Sequence, residues 1–187
     1  DDPAHEDTPF HPRSPYAVAK ASAHWLVRNY REAYGLYCCT GVLFNHESPL
    51  RPPRFVTRKI TAGAAAIAAG RQNGLVLGTL DIARDWGWAP EYVDAMHRML
   101  KQEQAEDFVI ATGQTATLQD FVATAFAHHV LDWRDHVTSS PEFARPSDIA
   151  VSRADPARAA ALLGWRAETR MEDVVRRMCE AEVSGAS

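Results

Sequence analysis

A capped helix followed at once by an apolar run does most to constrain the fold of this chain. Ser14-Pro15 is a strong helix start: the serine hydroxyl can accept from an orphan amide of the first turn, and proline at the first helical position gives up only an N–H that has no intrahelical partner. Val18, Trp25, Leu26 and Tyr30 then recur on one side, and Gly35 is placed to end the helix. Residues 36–44 read as a buried strand. Helix followed by buried strand belongs to an α/β sheet more readily than to a bundle.

The rest of the chain continues that alternation. Residues 45–53 read as a polar, proline-rich loop, residues 55–69 as an alanine-rich helix ending before Gly70, and residues 75–77 as a short strand. Residues 82–88 mix charge with tryptophan, and Pro90 opens a helix through Tyr92, Val93, Met96 and Leu100. Residues 107–111 form the clearest late strand. Thr117 and Asp120 suit a reciprocal helix cap, and Phe121, Val122, Ala125 and Phe126 continue that helix. Residues 132–153 carry no clear period, with a short strand expected around 149–152. Asp155-Pro156 starts a small helix ending at Gly164, and Thr169 with Glu172 repeats the cap signal ahead of Val174, Val175 and Met178. The late small helices point to a substrate-side lobe without a clear linker.

Size and charge bound the function. At 187 residues and 46% hydrophobic content the chain can bury one substantial core. Its net charge of -4 offers no broad attraction for nucleic acid, so no nucleic-acid partner is expected. Cys38, Cys39 and Cys179 make an odd count without a CxxC pair or metal-ligand rhythm, which predicts reduced structural cysteines and no metal site. The sequence carries no signal peptide and no long apolar span, so a cytoplasmic protein away from membranes is expected.

Three groups of residues can carry chemistry. Tyr16 and Lys20, at i and i+4, share one helix face, and a nearby positive charge favours the phenolate of a tyrosine whose ordinary pKa is about 10. The alternative is an aromatic edge beside a solvated lysine. Asn45-His46-Glu47-Ser48-Pro49 follows a predicted strand, where ligands of α/β sheets sit; loop capping is the plainer reading. Arg51, Arg58, Lys59, Arg84 and Arg145 are candidate anion clamps, since a guanidinium matches phosphate with a rigid donor fork. Arg84 suits a lining role or a structural ion pair, Pro146 can aim Arg145, and Asp148 can accept from sugar hydroxyls. Residues 1–15 hold no Gly-x-Gly-x-x-Gly, and the ten glycines are scattered.

These stretches resemble the GDP-mannose 4,6-dehydratases of the extended short-chain dehydrogenase/reductase group. The resemblance lies in Thr8-Pro9-Phe10, residues 12–20 around Tyr16 and Lys20, Leu43-Phe44-Asn45-His46-Glu47-Ser48-Pro49, Phe55-Val56-Thr57-Arg58-Lys59-Ile60 and Arg84-Asp85-Trp86-Gly87. It continues through residues 107–113, Arg145-Pro146-Ser147 and Leu162-Leu163-Gly164-Trp165, and so spans nearly the whole chain. The Asn-His-Glu-Ser-Pro and Arg-Asp-Trp-Gly stretches separate this family from general nucleotide-sugar epimerases.

The resemblance implies an α/β, Rossmann-like unit over residues 1–187, lacking the amino-terminal glycine-rich half, with a substrate lobe mainly at 50–85 and 115–187. It implies NADP as cofactor and GDP-mannose as substrate, oxidised at C4, dehydrated across C5 and C6, and reduced at C6 to GDP-4-dehydro-6-deoxy-mannose. Tyr16 then acts as base and Lys20 as its partner, both touching the cofactor, with His46 and Arg51 also on NADP. Asn45, Lys59, Arg84, Arg145 and Asp148 line the GDP-sugar. Members form homodimers or homotetramers. They also carry an upstream Thr or Ser and a Glu that this sequence lacks, and Glu6 is no obvious substitute. The 187-residue chain alone is therefore expected to be a carboxy-terminal part with little or no turnover. The alternatives are a non-catalytic remnant that binds nucleotide-sugar or protein, and an epimerase or reductase for another nucleotide sugar.

Overall fold

In the computed structural model the described residues are 2–143 and 149–184. The first helix, α1 (Pro15–Tyr34), begins and ends where the punctuation predicts. Ser14 Oγ accepts from the Ala17 amide at 3.1 Å, and Gly35, at φ 63°, returns its N–H to the Arg31 carbonyl. The predicted apolar side is present but open: Val18, Trp25, Leu26 and Tyr30 are all exposed, and His24 is the buried residue of α1.

The apolar run after α1 is a strand over a shorter span than expected. β1 (Gly41–Leu43) pairs in parallel with β5 (Phe108–Ile110), Gly41 against Phe108. Residues 36–40 lie outside it, because the Cys38 carbonyl is taken by the Arg31 guanidinium at 3.0 Å instead of a neighbouring strand. The Phe44 amide still bonds the Ile110 carbonyl, after which the chain changes partner. β2 (Asn45–Glu47) pairs in parallel with β4 (Ala83–Trp88), setting Asn45 against Trp86, His46 against Gly87 and Glu47 against Trp88. The expected loop at residues 45–53 thus opens as a strand.

Residues 82–88, which show no strand period, form the centre of a three-stranded sheet. The first half of β4 pairs antiparallel with β6 (Thr115–Thr117), giving the order β2-β4-β6. Its alternation is hidden because Asp85, Trp86 and Gly87 are all buried. The third pairing joins β3 (Leu75–Leu77) in parallel to β7 (Val137–Ser139). β7 replaces the strand expected at 149–152, where Val151 makes only an isolated bridge to Ala83. One half-buried valine among polar neighbours leaves β7 no hydrophobic signature.

Helices close over these strands in two cores. α2 (Val56–Ala68), α4 (Leu118–His128) and α6 (Met171–Ser184) enclose Ile60, Leu77, Trp86, Phe121, Phe126, Val174 and Met178. α4 is held by the predicted box, with Thr117 Oγ1 accepting from the Asp120 amide at 3.0 Å and Asp120 Oδ2 from the Thr117 amide at 3.1 Å. α3 (Ala89–Met99) and α5 (Ala157–Leu162) pack Tyr92, Met99, Ala159 and Trp165 around Phe108 and Ile110 of β5. Each large side chain so buried is worth about 1.5–3 kcal/mol, so both cores brace the strand ends that carry the candidate residues.

Candidate functional site

Tyr16 and Lys20 stand one turn apart at the start of α1. The Lys20 ammonium lies 5.6 Å from the centre of the Tyr16 ring, and Tyr16 is 72% exposed. Within the described residues neither the hydroxyl nor the ammonium makes a hydrogen bond or ion pair, so both are available to a ligand.

The second group is built on β2 and the turn after it. His46 Nδ1 is 2.7 Å from the Phe44 carbonyl; since a carbonyl only accepts, Nδ1 carries a proton, and in the neutral ring Nε2 is the acceptor. The ring stacks on Tyr92, with centroids 4.8 Å apart at 29°. Glu47 is buried, its Oε2 accepts from the Thr57 hydroxyl at 2.7 Å, and Arg51 Nη2 donates to its Oε1 at 3.3 Å. Arg51 Nε approaches Oε2 to 2.9 Å without hydrogen-bond alignment. Burial pushes the Glu47 carboxyl up from its ordinary value, against the opposing pull of Thr57 and Arg51. Arg51 also covers the Phe55 ring at 4.2 Å, which fixes its charge at the turn.

Lys59 and Arg84 are each held by backbone carbonyls. Lys59 Nζ donates to the Val76 carbonyl at 2.7 Å and lies 4.7 Å from the Phe143 ring centre. Arg84 Nη1 donates to the carbonyls of Ala83, at 2.8 Å, and Ala150, at 3.4 Å. Arg145 and Asp148, assigned to the same ligand from sequence, lie outside the described residues. Arg58 is committed elsewhere: its guanidinium bonds the Pro49 carbonyl and pairs with Glu182, so this anion-clamp candidate is a structural ion pair.

The structure therefore gathers Asn45, His46 and Arg51 on one strand and its turn. No hydrogen bond, ion pair or ring contact among the described residues joins them to Tyr16 or Lys20. Asp85, Tyr92 and Thr112 were not among the site residues expected from the sequence. Asp85 is fully buried, and its Oδ1 accepts from the Thr112 amide at 2.9 Å, while burial raises its carboxyl against that bond. Its signal was an acid directly before Trp86-Gly87-Trp88, and carboxylates among such residues are rarely buried unless partnered. Glu6 accepts from the Val109 amide at 2.8 Å and so fastens the leading segment to β5.

The donors and acceptors present suit a dinucleotide. Arg51 offers a fixed cation for phosphate, His46 Nε2 an acceptor for a hydroxyl, and Lys20 an ammonium. Among the described residues no group of three potential metal ligands exists, and no helix is long and apolar enough to cross a membrane. An open groove of about 740 Å³ lies apart from these residues, between α3 and the segment around Trp165. Among its lining residues Arg98 pairs with Asp94 at 2.9 Å, and Glu91 accepts from the Thr169 hydroxyl at 2.5 Å.

Comparison with known proteins places all of these positions in a single family match. The model of the GDP-mannose 4,6 dehydratase family matches residues 1–178. The chain is 46% identical over 181 residues to GDP-mannose 4,6 dehydratase 1 of Arabidopsis thaliana, covering 97% of this chain and 50% of that protein. It is 44% identical over 199 residues to the GDP-mannose 4,6-dehydratase of Sinorhizobium fredii, covering 97% and 57%. The chain thus spans about half the length of the curated relatives it matches. Among solved structures, RMD from Pseudomonas aeruginosa, complexed with NADPH, superposes with a TM-score of 0.87 at 24% identity, over 97% of this chain and 60% of that one. The dTDP-glucose 4,6-dehydratase of Bacillus anthracis, with NAD, gives 0.85 at 18%, over 98% and 57%. At such identities the likeness is one of fold, an α/β Rossmann-like architecture.

Proposed function

The chain belongs to the GDP-mannose 4,6-dehydratase family, and from that membership we propose that it serves the conversion of GDP-mannose to GDP-4-dehydro-6-deoxy-mannose and water. The observation that carries this reading is a family match running through Tyr16, Lys20, Asn45, His46, Arg51, Lys59, Arg84, Arg145 and Asp148 in one stretch. NADP, when bound, supplies the hydride acceptor at C4 and the donor at C6, so the reaction has no net redox change.

Each side chain has a separate task in this reading. Tyr16 removes the O4 proton of the sugar, and Lys20 beside it bonds the nicotinamide ribose. A positioned base of this kind contributes about 10²–10⁴-fold to rate. His46 and Arg51 hold NADP, the first through Nε2 and the second as a fixed cation. Asn45, Lys59, Arg84 and Arg145 line the GDP-sugar, and Asp148 accepts from ribose hydroxyls. Residues 50–85 and 115–187 form the substrate side, and the complete protein assembles as a homodimer or homotetramer.

The test is turnover of GDP-mannose with added NADP, read as formation of the 4-keto sugar. It is run on the chain alone and on the chain joined to the portion of the Arabidopsis relative that it does not match. Keto-sugar formation by the joined protein, abolished by Tyr16→Phe, with little or none by the chain alone, is the expected result. Binding of GDP-mannose and NADP without turnover in both preparations would overturn the catalytic reading.

A further inference from the structure

The Arg84-Asp85-Trp86-Gly87 stretch has work beyond Arg84, and that work concerns His46. In the parallel register of β2 and β4, His46 stands directly against Gly87. A Cβ on Gly87 would meet the Tyr92 ring at 2.4 Å and its hydroxyl oxygen at 2.5 Å, so only glycine admits this ring so close to the strand. Tyr92 fills the gap and is 1% exposed, and His46 stacks on it. The far edge of the ring is closed by Trp165, at 5.9 Å and 88°. With Nδ1 engaged by the Phe44 carbonyl, both the plane of the His46 ring and its tautomer are set before any ligand arrives.

The same face of β4 carries an acid. Residues two apart on a strand point to one side, so Asp85 and Gly87 share the face against which Tyr92 lies. Asp85 Oδ1 is bound to the Thr112 amide, while Oδ2 has no partner, and the buried Tyr92 hydroxyl also has none. Two orphan polar atoms on one buried face are costly unless they meet each other or a shared water. The charge of Asp85 is felt at the Tyr92 phenol, which burial already pushes up, so Tyr92 stays a neutral donor.

We infer that Tyr92 is a positioning residue for His46, admitted by Gly87 and backed by Trp165, and that it holds the His46 ring with Nε2 as a hydrogen-bond acceptor toward the bound nicotinamide dinucleotide. The inference rests on the proposed cofactor role of His46 only in its last step. The alignment of His46 by Tyr92 stands on geometry alone.

Nuclear magnetic resonance of the imidazoles in this chain separates the two parts. Without ligand, His46 is expected as the Nδ1–H tautomer with ring protons shifted upfield by Tyr92. Ordinary solvent-exposed shifts and a mixed tautomer in the unaltered protein would overturn the inference, with no variant needed. Tyr92→Phe keeps the stack and should retain the upfield shift, whereas Tyr92→Leu should lose it. Loss of the shift in neither variant would also overturn the positioning role. NADP should then perturb the His46 signals and bind roughly two- to tenfold more weakly to Tyr92→Leu than to Tyr92→Phe, the fold-change an aromatic pair supplies. Absence of any NADP effect on a correctly shifted His46 defeats the cofactor reading and the final step together, while leaving the alignment intact.

Discussion

Arg31 and Asp107 form a two-armed ion pair that ties the last turn of α1 to the entry of β5. Both arms measure 2.8 Å, and Asp107 Oδ1 also accepts from the Thr40 amide at 2.7 Å. Arg31 reaches the Cys38 carbonyl as well, so one guanidinium and one carboxylate fix helix, connecting segment and strand. The helix they fix is the one that presents Tyr16 and Lys20. Parallel strands place their ligands at the carboxyl ends, so the angle of α1 over β1 and β5 decides where the phenol stands.

Asp107→Asn should destabilise the protein by about 1.5–3 kcal/mol at neutral pH, the range for a hydrogen bond to a charged group. Burial works against ionisation of Asp107, but the Arg31 pair and the Thr40 amide outweigh it and hold the carboxyl below its ordinary value. A depressed folded value contributes stability above the ordinary aspartate pKa of about 3.9 and loses it as pH falls through the folded value. Urea unfolding of both proteins from pH 7 to pH 3 should show the gap narrowing at the acid end. A gap that stays constant contradicts the ion-pair account.

Glu47→Gln should leave the fold intact while loosening Arg51. Glutamine still accepts from Thr57, but Arg51 loses its counter-charge and keeps only the Phe55 ring. Burial raises the Glu47 carboxyl, so the folded state holds a proton that the unfolded state has released, and stability falls as pH rises above the ordinary carboxyl range. The variant does not titrate there. Its stability relative to the parent should therefore improve between about pH 4.5 and neutrality, the opposite slope to Asp107→Asn. Calorimetric melts across that range decide the sign, and NADP titration at pH 7 should show weaker binding by the variant.

Tyr16→Phe should lower turnover by about 100-fold or more while GDP-mannose affinity is unchanged, because a general base is lost and the ring is kept. With Tyr16 72% exposed, its stability should stay within about 0.5 kcal/mol of the parent. Near-normal turnover at saturating cofactor would return Tyr16 to the role of an exposed aromatic.

Helix ends were the most legible part of the sequence, because caps are local chemistry. Ser14, Gly35 and the Thr117–Asp120 box act within a few residues of themselves. Strands were harder, since their partners lie far away in sequence. The change of partner at Phe44 and the all-buried run in β4 arise from pairings that no local period records. The open side of α1 reads in sequence like any apolar stripe, and exposure is a property of what packs against it. Candidate residues with free ends, such as Lys20, could be named from spacing. Those that act by packing, such as Tyr92 behind His46, required the register between two strands.

Lys59 and Arg84 offer the sharpest division between a ligand clamp and a structural cation. Each already bonds a backbone carbonyl, Lys59 at Val76 and Arg84 at Ala83, so each has a structural role to lose. If Arg84 also recognises the diphosphate, Arg84→Ala should weaken GDP and GDP-mannose equally, by roughly 10- to 100-fold for one lost charged hydrogen bond. Mannose 1-phosphate, lacking the second phosphate, should be little affected. Lys59→Ala should follow the same ligand pattern with a smaller effect, since an ammonium acts as a point charge without the fork of a guanidinium. Calorimetry of all three ligands, paired with thermal melts, separates the roles: a lowered melting temperature with unchanged GDP affinity in both variants would make the two cations structural and reject the clamp.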